Sequence, residues 1–100
     1  EQLVERSRTM GAVLGDRLRD GLAGQRHVRD IRGRGLFYGI EIDASRDAVV
    51  MAAIERGLWV YPAGSGPVAD AIMVAPPFVI SDAEIDQLVG ILRESLDAVD

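Results

Sequence analysis

The segment LFYGIEI at residues 36–42 alternates between two kinds of side chain with a period of two. The apolar set is Leu36, Tyr38, Ile40 and Ile42. The other set is mixed and comprises Phe37, Gly39 and Glu41. Because successive side chains of a β-strand point to opposite faces, this alternation predicts a strand with one face in a core. A lone strand is not stable in water, so the segment requires the chain to build a sheet.

The other elements are predicted from the same analysis of apolar spacing. Period-two segments predict strands at about residues 28–32, 35–43, 58–62 and 71–75. Apolar residues at helical spacing predict helices over residues 2–22, 46–56 and 82–98. The order helix, two strands, helix, two strands, helix predicts an α+β fold, in which helices cover a mostly antiparallel sheet of about four strands.

Capping and turn residues predict where these elements begin and end. Ser45 is the expected N-cap of the second helix, and Gly57 marks its C-terminal end. Ser81 and Glu84 have the spacing of a capping box at the start of the final helix. A turn or kink is expected near Gly33.

Two proline-containing segments are expected to interrupt the sheet. Pro62 should end the third strand, and the sequence GSGPVAD at residues 64–70 should form a flexible loop. The fourth strand is expected at an edge of the sheet, where Pro76 and Pro77 direct the chain toward the final helix.

Gly11 and Gly15 lie four residues apart inside the first predicted helix. Glycine lowers helix propensity, but it also lets another backbone approach closely. Both interpretations stay open: the glycines are merely tolerated, or they form a packing groove.

The composition excludes several kinds of site within these residues. The chain has no cysteine and no lysine, and it has one histidine, His27. It therefore holds no thiolate nucleophile and no lysine imine, and no spacing of metal ligands is present. The net charge of −5 disfavours a nucleic-acid partner, and no apolar run approaches the length of about 20 residues that spans a bilayer.

The length of one hundred residues predicts a single domain over residues 1–100. The segment EQLVERSRTM lacks the apolar core and basic start of a signal peptide, so a cytoplasmic location is expected. A sheet covered by helices on one face leaves its other face to be covered. We therefore expect the chain to be part of a larger protein.

Three segments together resemble the C-terminal small domain of class III aminotransferases: VRDIRGRGLFYGIEI, ERGLWVYPAGSG and DAIMVAPPFVISDAEIDQLVGILRESLDAV. The resemblance covers about residues 28–99, and the first helix matches in character only. Members of this family are fold-type I enzymes that use pyridoxal 5′-phosphate. The resemblance implies part of an aminotransferase that moves an amino group between an amine or amino acid and a keto acid, with this domain as one wall of the substrate pocket.

The resemblance also implies where the cofactor and the partners lie. In the family a lysine binds the cofactor covalently and an aspartate pairs with its pyridine nitrogen, and both belong to the large domain. Residues 1–100 are therefore expected to contribute no catalytic and no cofactor-binding residue, and the isolated chain is expected to be inactive. The implied partners are small amine, amino-acid and keto-acid substrates, the large domain of the same protein, and a second copy in a homodimer.

Tyr61 and Met73 are the candidate substrate-binding residues. In several family members an arginine that binds the substrate carboxylate lies immediately before the earlier proline or two positions before the Ala-Pro pair, and these positions are Tyr61 and Met73 here. Neither side chain can bind a carboxylate through two parallel hydrogen bonds, so the resemblance implies a more apolar pocket or an arginine elsewhere. Plain packing, beside Pro62 for Tyr61 and in the core for Met73, is the alternative for each.

Other residues are interpreted as structural. His27 is expected to be solvated or to cap an element, and Arg32 and Arg34 to form ion pairs on an exposed hairpin. The glycines of residues 64–66 are expected to lie in a mobile loop at the pocket edge. Two further interpretations stay open: a free-standing α+β binding module that uses this loop and the arginine-rich first third, and a pyridoxal-phosphate decarboxylase, racemase or aminomutase of the same fold.

Overall fold

The computed structural model describes residues 2–65, 68–76 and 80–99. Helices and strands follow one another in the predicted order: α1 (Gln2–Gly21), β1 (Val28–Arg34), β2 (Phe37–Ile42), α2 (Arg46–Glu55), β3 (Tyr61–Ser65), β4 (Val68–Val74) and α3 (Asp82–Asp97). All neighbouring strands are antiparallel, and the order across the sheet is β1-β2-β4-β3. The predicted α+β fold is confirmed.

The predicted apolar face of β2 is buried. Ile40 lies directly opposite Ile72 of β4, Tyr38 lies opposite Val74, and all four residues are buried. They belong to one core cluster with the apolar stripes of the helices, including Leu14, Leu18, Leu88, Leu92 and Leu96. We call the opposite face of the sheet, which carries Phe37, Gly39 and Glu41, the open face.

α1 packs closely against the β1–β2 hairpin through its two glycines. A Cβ atom on Gly11 would overlap the carbonyl of Gly35, and a Cβ atom on Gly15 would overlap the hydroxyl of Tyr38. The Tyr38 hydroxyl donates a hydrogen bond of 3.0 Å to the carbonyl of Gly11. Of the two interpretations of these glycines, close packing is therefore the correct one.

The first and last helices are joined at their C-terminal ends. Arg93 of α3 donates hydrogen bonds to the carbonyls of Gly21 and Ala23, at 3.0 and 2.8 Å. The side-chain amide of Gln25 donates to Asp97 at 3.1 Å. The two bonds from Arg93 satisfy carbonyl groups at and just beyond the end of α1, which lack helical partners.

The expected caps are present at both shorter helices. The hydroxyl of Ser45 accepts from the amide of Ala48 at 3.3 Å, and Gly57 follows α2 with a φ of +86°. At α3 the hydroxyl of Ser81 accepts from the amide of Glu84, and the carboxylate of Glu84 accepts from the amide of Ser81. The second pair forms the capping box.

The turn between the first two strands lies two residues beyond the predicted position. Gly33 belongs to β1 and pairs with Tyr38, while the turn is made by Gly35 and Leu36. Gly35 has a φ of +57°, which a residue with a side chain rarely adopts. The predicted turn between the two strands is present, but it is displaced to Gly35 and Leu36 because the left-handed conformation falls at the second glycine.

The predicted loop over residues 64–70 is also wrong. β3 continues through Ser65 and β4 begins at Val68, so this part of the chain forms a hairpin whose residues 66–67 lie outside the described residues. Pro62 lies within β3 instead of ending it, because β3 is an edge strand, where the missing amide of proline need not join the ladder.

Both later strands are displaced from the predicted ranges. The strand predicted at residues 58–62 begins only at Tyr61, because the amide of Leu58 still donates to the carbonyl of Ala53 at the end of α2. The strand predicted at residues 71–75 begins at Val68, and it lies inside the sheet between β2 and β3, so its expected edge position is wrong. Of the two prolines that follow it, Pro77 lies outside the described residues.

Candidate functional site

Tyr61 and Met73 lie side by side on the open face of the sheet. They are directly opposite partners of β3 and β4, and such partners in an antiparallel pair project from the same face. Tyr61 is 52% exposed, whereas Met73 is partly buried. The structure thus brings the two candidate residues together, outside the core cluster between the sheet and its helices.

This pair belongs to a row that crosses all four strands. Met73 also lies opposite Gly39 of β2, and Gly39 lies opposite Arg32 of β1. The row therefore runs Arg32, Gly39, Met73, Tyr61, with a cationic side chain at one end and an aromatic ring at the other. Gly39, which sequence analysis placed on this face without assigning it a role, is the one member with no side chain.

Arg32 is balanced by acidic neighbours. Its guanidinium lies 3.2 Å from Asp30 and 3.5 Å from Glu41. The expected ion pairs on this hairpin are confirmed for Arg32. Because two carboxylates face one guanidinium, this end of the row offers little positive charge to a substrate carboxylate.

The other end of the row is aromatic and exposed. Trp59 is 66% exposed and contacts Tyr61 edge to face, with ring centroids 6.4 Å apart. Val60, between them in the sequence, is 1% exposed. Sequence analysis missed Trp59, although the spacing of two residues to Tyr61 around a buried valine would have indicated a shared side.

An open pocket of about 420 Å³ adjoins Tyr61 at the end of the sheet. The described residues that line it come from α3, from the segment after α2 and from the end of β4, and they include Trp59, Tyr61, Pro76, Glu84 and Leu88. Met73 is not among them. Hydrogen bonding with the backbone amide and the hydroxyl of Ser81 holds the pKa of Glu84 below its ordinary value, so the pocket has an anionic edge.

His27 is a structural residue and is not solvated. It is buried, and its ring nitrogens lie 3.0 Å from a carboxylate oxygen of Asp43 and 2.8 Å from the carbonyl of Val99. The prediction of a solvated residue is wrong because these two acceptors enclose the ring. The hydrogen bond with His27, with a smaller contribution from Arg29, holds the pKa of Asp43 below its ordinary value, although burial opposes this shift. With both ring nitrogens engaged, His27 is not placed to act as a catalytic base.

The described residues do not provide a site for covalent binding of a carbonyl cofactor or for a metal ion. The chain contains no lysine to form an imine. Gly64 and Ser65 lie in a strand, so they do not form a phosphate-binding loop before a helix. In the part of the chain that the structure describes, no group of three acidic or histidine side chains could hold a metal ion.

None of the described helices has the length and apolar character needed to cross a membrane. The longest, α1, carries charged residues along its length, including Asp16, Arg17, Arg19 and Asp20.

Comparisons with known proteins point to one family. The family model described as aminotransferase class-III matches residues 1–96. The chain is 44% identical to an acetylornithine aminotransferase of Methanothermobacter thermautotrophicus over 92 residues, which is 92% of this chain and 23% of that protein.

Solved structures give the same result. A Bacillus anthracis aminotransferase is similar with a TM-score of 0.86 and 34% identity, over 97% of this chain and 24% of its own. A phospholyase from Arthrobacter, in complex with phosphoethanolamine, is similar with a TM-score of 0.83 and 28% identity, over 100% of this chain and 26% of its own. The chain spans about a quarter of the length of these relatives.

Proposed function

The chain belongs to the class III aminotransferases, and from this premise we propose that it forms one wall of the substrate pocket in a larger enzyme. That enzyme transfers an amino group between an amine or amino acid and a keto acid. The observation that carries the proposal is the open face, on which Tyr61 and Met73 lie together, outside the core cluster that the described helices form with the sheet.

The exposed side chains on and near the open face favour a second domain that packs against this chain. Large apolar side chains are exposed on this face and beside it, with Phe37 at 56%, Trp59 at 66% and Tyr61 at 52%. An apolar surface of this kind is typical of a surface that meets a protein or a ligand. We assign the covering body to the large domain of the same protein, and we propose a cytoplasmic homodimer on the analogy of the family.

Class III aminotransferases use pyridoxal 5′-phosphate, which when bound supplies an electron sink for the reacting carbon. Since this chain has no lysine, we assign the covalent attachment of the cofactor to residues outside it. Within the complete enzyme, this chain's residues bind and orient the substrate. We expect the isolated chain to be inactive and to give no stoichiometric imine absorption with the cofactor.

The row on the open face favours substrates with an uncharged side chain. Tyr61 can donate one hydrogen bond, Met73 donates none, and Arg32 is already paired with two carboxylates. A substrate group that lies over Tyr61 and Met73 would meet an aromatic ring and a thioether. We therefore propose amines or amino acids with an apolar side chain as the preferred donors.

A second candidate function is a different pyridoxal-phosphate reaction on the same fold. The similarity to the Arthrobacter phospholyase favours it, because that enzyme carries a closely similar domain. Decarboxylation, racemisation and aminomutation belong to the same alternative. A free-standing binding module, by contrast, has no comparable support, since the relatives are about four times as long as this chain.

The test uses the full-length protein with its cofactor, 1-phenylethylamine as the donor and pyruvate as the acceptor. The proposed function requires alanine to form in equal amount to the ketone that is released from the amine. Loss of the amine without alanine would indicate elimination or another reaction, and it would contradict amino transfer.

A further inference from the structure

We propose that Gly39 sets the size limit for the substrate side chain, because its missing side chain leaves a notch in the open face between Arg32 and Met73. This inference rests on the proposed function and makes it more specific. It assigns the residue that determines selectivity, and it assigns the class of donor: an amine with a bulky, uncharged substituent.

The notch follows from the strand register. Gly39 lies opposite Arg32 on one side and opposite Met73 on the other. Because neighbouring strands are about 4.8 Å apart, the two flanking backbones are separated by about 10 Å, with only a glycine between them. Among the described residues, a Cβ atom built on Gly39 would meet the carbonyl oxygen of Arg32 at 3.9 Å.

Nothing within the described chain requires glycine at this position. The φ of Gly39 is not positive, and a Cβ atom there would meet the described residues only at ordinary van der Waals distance. Gly33 is a useful contrast, because a Cβ atom there would overlap the ring of Tyr38 on the buried face. A glycine inside a strand weakens the sheet, and it often marks a place where a ligand or another backbone approaches closely.

The residues on either side of the notch indicate which substrate group would fit into it. Met73 and, beyond it, Tyr61 form an apolar wall on one side. On the other side the guanidinium of Arg32 is paired with Asp30 and Glu41, so it presents little net positive charge to an anion. An uncharged ring or branched alkyl group fits between these walls, whereas a carboxylate does not gain a free cation.

The experiment compares two donors in the full-length protein with its cofactor and pyruvate. Wild type, Gly39→Ala and Gly39→Val are assayed with 1-phenylethylamine and with isopropylamine, which share the reacting amine and differ in bulk. We expect Gly39→Ala to lower kcat/KM for 1-phenylethylamine by about 10-fold or more and Gly39→Val to lower it further, because one methylene group in a pocket changes selectivity by about 10- to 200-fold. For isopropylamine we expect a change of less than about 2-fold, since the smaller group does not reach the added methyl.

Thermal unfolding of each variant separates selectivity from folding. We expect Gly39→Ala to keep the wild-type Tm, and Gly33→Ala, the matched control on the buried face, to lower the Tm and to reduce both donors alike. Equal losses for both donors in Gly39→Ala together with a lower Tm would mean that protein backbone fills the notch, and this would overturn the inference. Unchanged kinetics in both Gly39 variants would overturn it as well.

Activity of the wild-type protein with the two amines distinguishes failure of the proposed donor preference from failure of the inference about Gly39. If the protein transfers amino groups from neither amine, the proposed preference for uncharged donors is wrong and this inference fails with it. If it transfers from both amines and the variants change both equally, only the inference about Gly39 is wrong.

Discussion

Tyr61 on β3 lies directly opposite Met73 on β4, so their side chains project from the same face of the sheet. A cationic group at either position would therefore reach the same region of the open face. This relationship explains physically how an arginine at either of two positions, twelve residues apart in the sequence, could serve the same substrate group.

Tyr61→Arg should shift the full-length enzyme toward acidic donors. A guanidinium there gains charge-assisted hydrogen bonds from a substrate carboxylate and is left unpaired with an uncharged amine. We expect the ratio of kcat/KM for glutamate to that for 1-phenylethylamine to rise by about 10- to 100-fold, or about 1–3 kcal/mol.

Two variants control this measurement. Tyr61→Phe should change the ratio less, because it removes one hydroxyl and keeps the ring. Met51→Arg adds the same charge on α2, at a residue that is 59% exposed, and should leave the ratio unchanged. Equal changes for both donors in Tyr61→Arg would mean that Tyr61 supports the fold and does not meet the substrate.

Gly11→Ala should destabilise the chain, because the new Cβ atom would overlap the carbonyl of Gly35 and push α1 away from the hairpin. The expected loss in the free energy of unfolding is about 1–3 kcal/mol, as for other overpacked sites. Gly90→Ala is the matched control, since Gly90 is also helical, is exposed on α3 and has open space beside it. It should stabilise the chain by about 0.5–1 kcal/mol. Urea unfolding of both variants measures this, and a stable Gly11→Ala would argue against close packing.

Asp43→Asn should lower stability at neutral pH and lose its effect in acid. The hydrogen bond with His27 holds the pKa of Asp43 below its ordinary value, so the carboxylate favours the folded state above the unfolded pKa, which is about 3.9. That contribution is lost as the pH falls below this value through the folded-state pKa. Unfolding curves between pH 7 and pH 2 should therefore converge for wild type and variant, whereas Asp16→Asn, an exposed control on α1, should differ little from wild type throughout. A constant difference down to pH 2 would contradict the assignment.

Ser81→Ala should destabilise the chain more than Ser45→Ala. Ser81 forms both bonds of a capping box at α3, while Ser45 accepts a single longer bond at α2. We expect a loss of about 1–2 kcal/mol at Ser81 and about 0.5–1 kcal/mol at Ser45 from urea unfolding. The reverse order would show that the bond from the amide of Glu84 to the Ser81 hydroxyl contributes less than the bond at Ser45, since alanine keeps the amide that donates to the Glu84 carboxylate.

Features set by local spacing could be predicted from the sequence. The alternation over residues 36–42 predicted the buried face of β2, and the serine caps predicted the starts of two helices. The pairing of Tyr61 with Met73 could not be predicted, because strand register depends on the turn between β3 and β4, where glycine and proline indicated a longer loop.

Contacts between residues far apart in the sequence also could not be predicted. The ring of His27 is enclosed by the carboxylate of Asp43, 16 residues later in the sequence, and by the carbonyl of Val99, 72 residues later. A local sequence pattern does not predict partners at such sequence separations. Gly39 was placed on the correct face, but its importance appears only when Arg32 and Met73 are known to flank it.

The joining of α1 to α3 has a consequence for biosynthesis. Leu14 and Leu18 are fully buried in one core cluster that includes Leu88, Leu92 and Leu96 of α3, about 70 residues later in the chain. A ribosome that has not yet released residues 82–97 therefore carries a nascent chain in which the leucines of α1 still lack their partners from α3 and can be bound by a chaperone. A stop codon anywhere within α3 would leave those leucines without these partners permanently, so quality control should recognise such truncated products through α1.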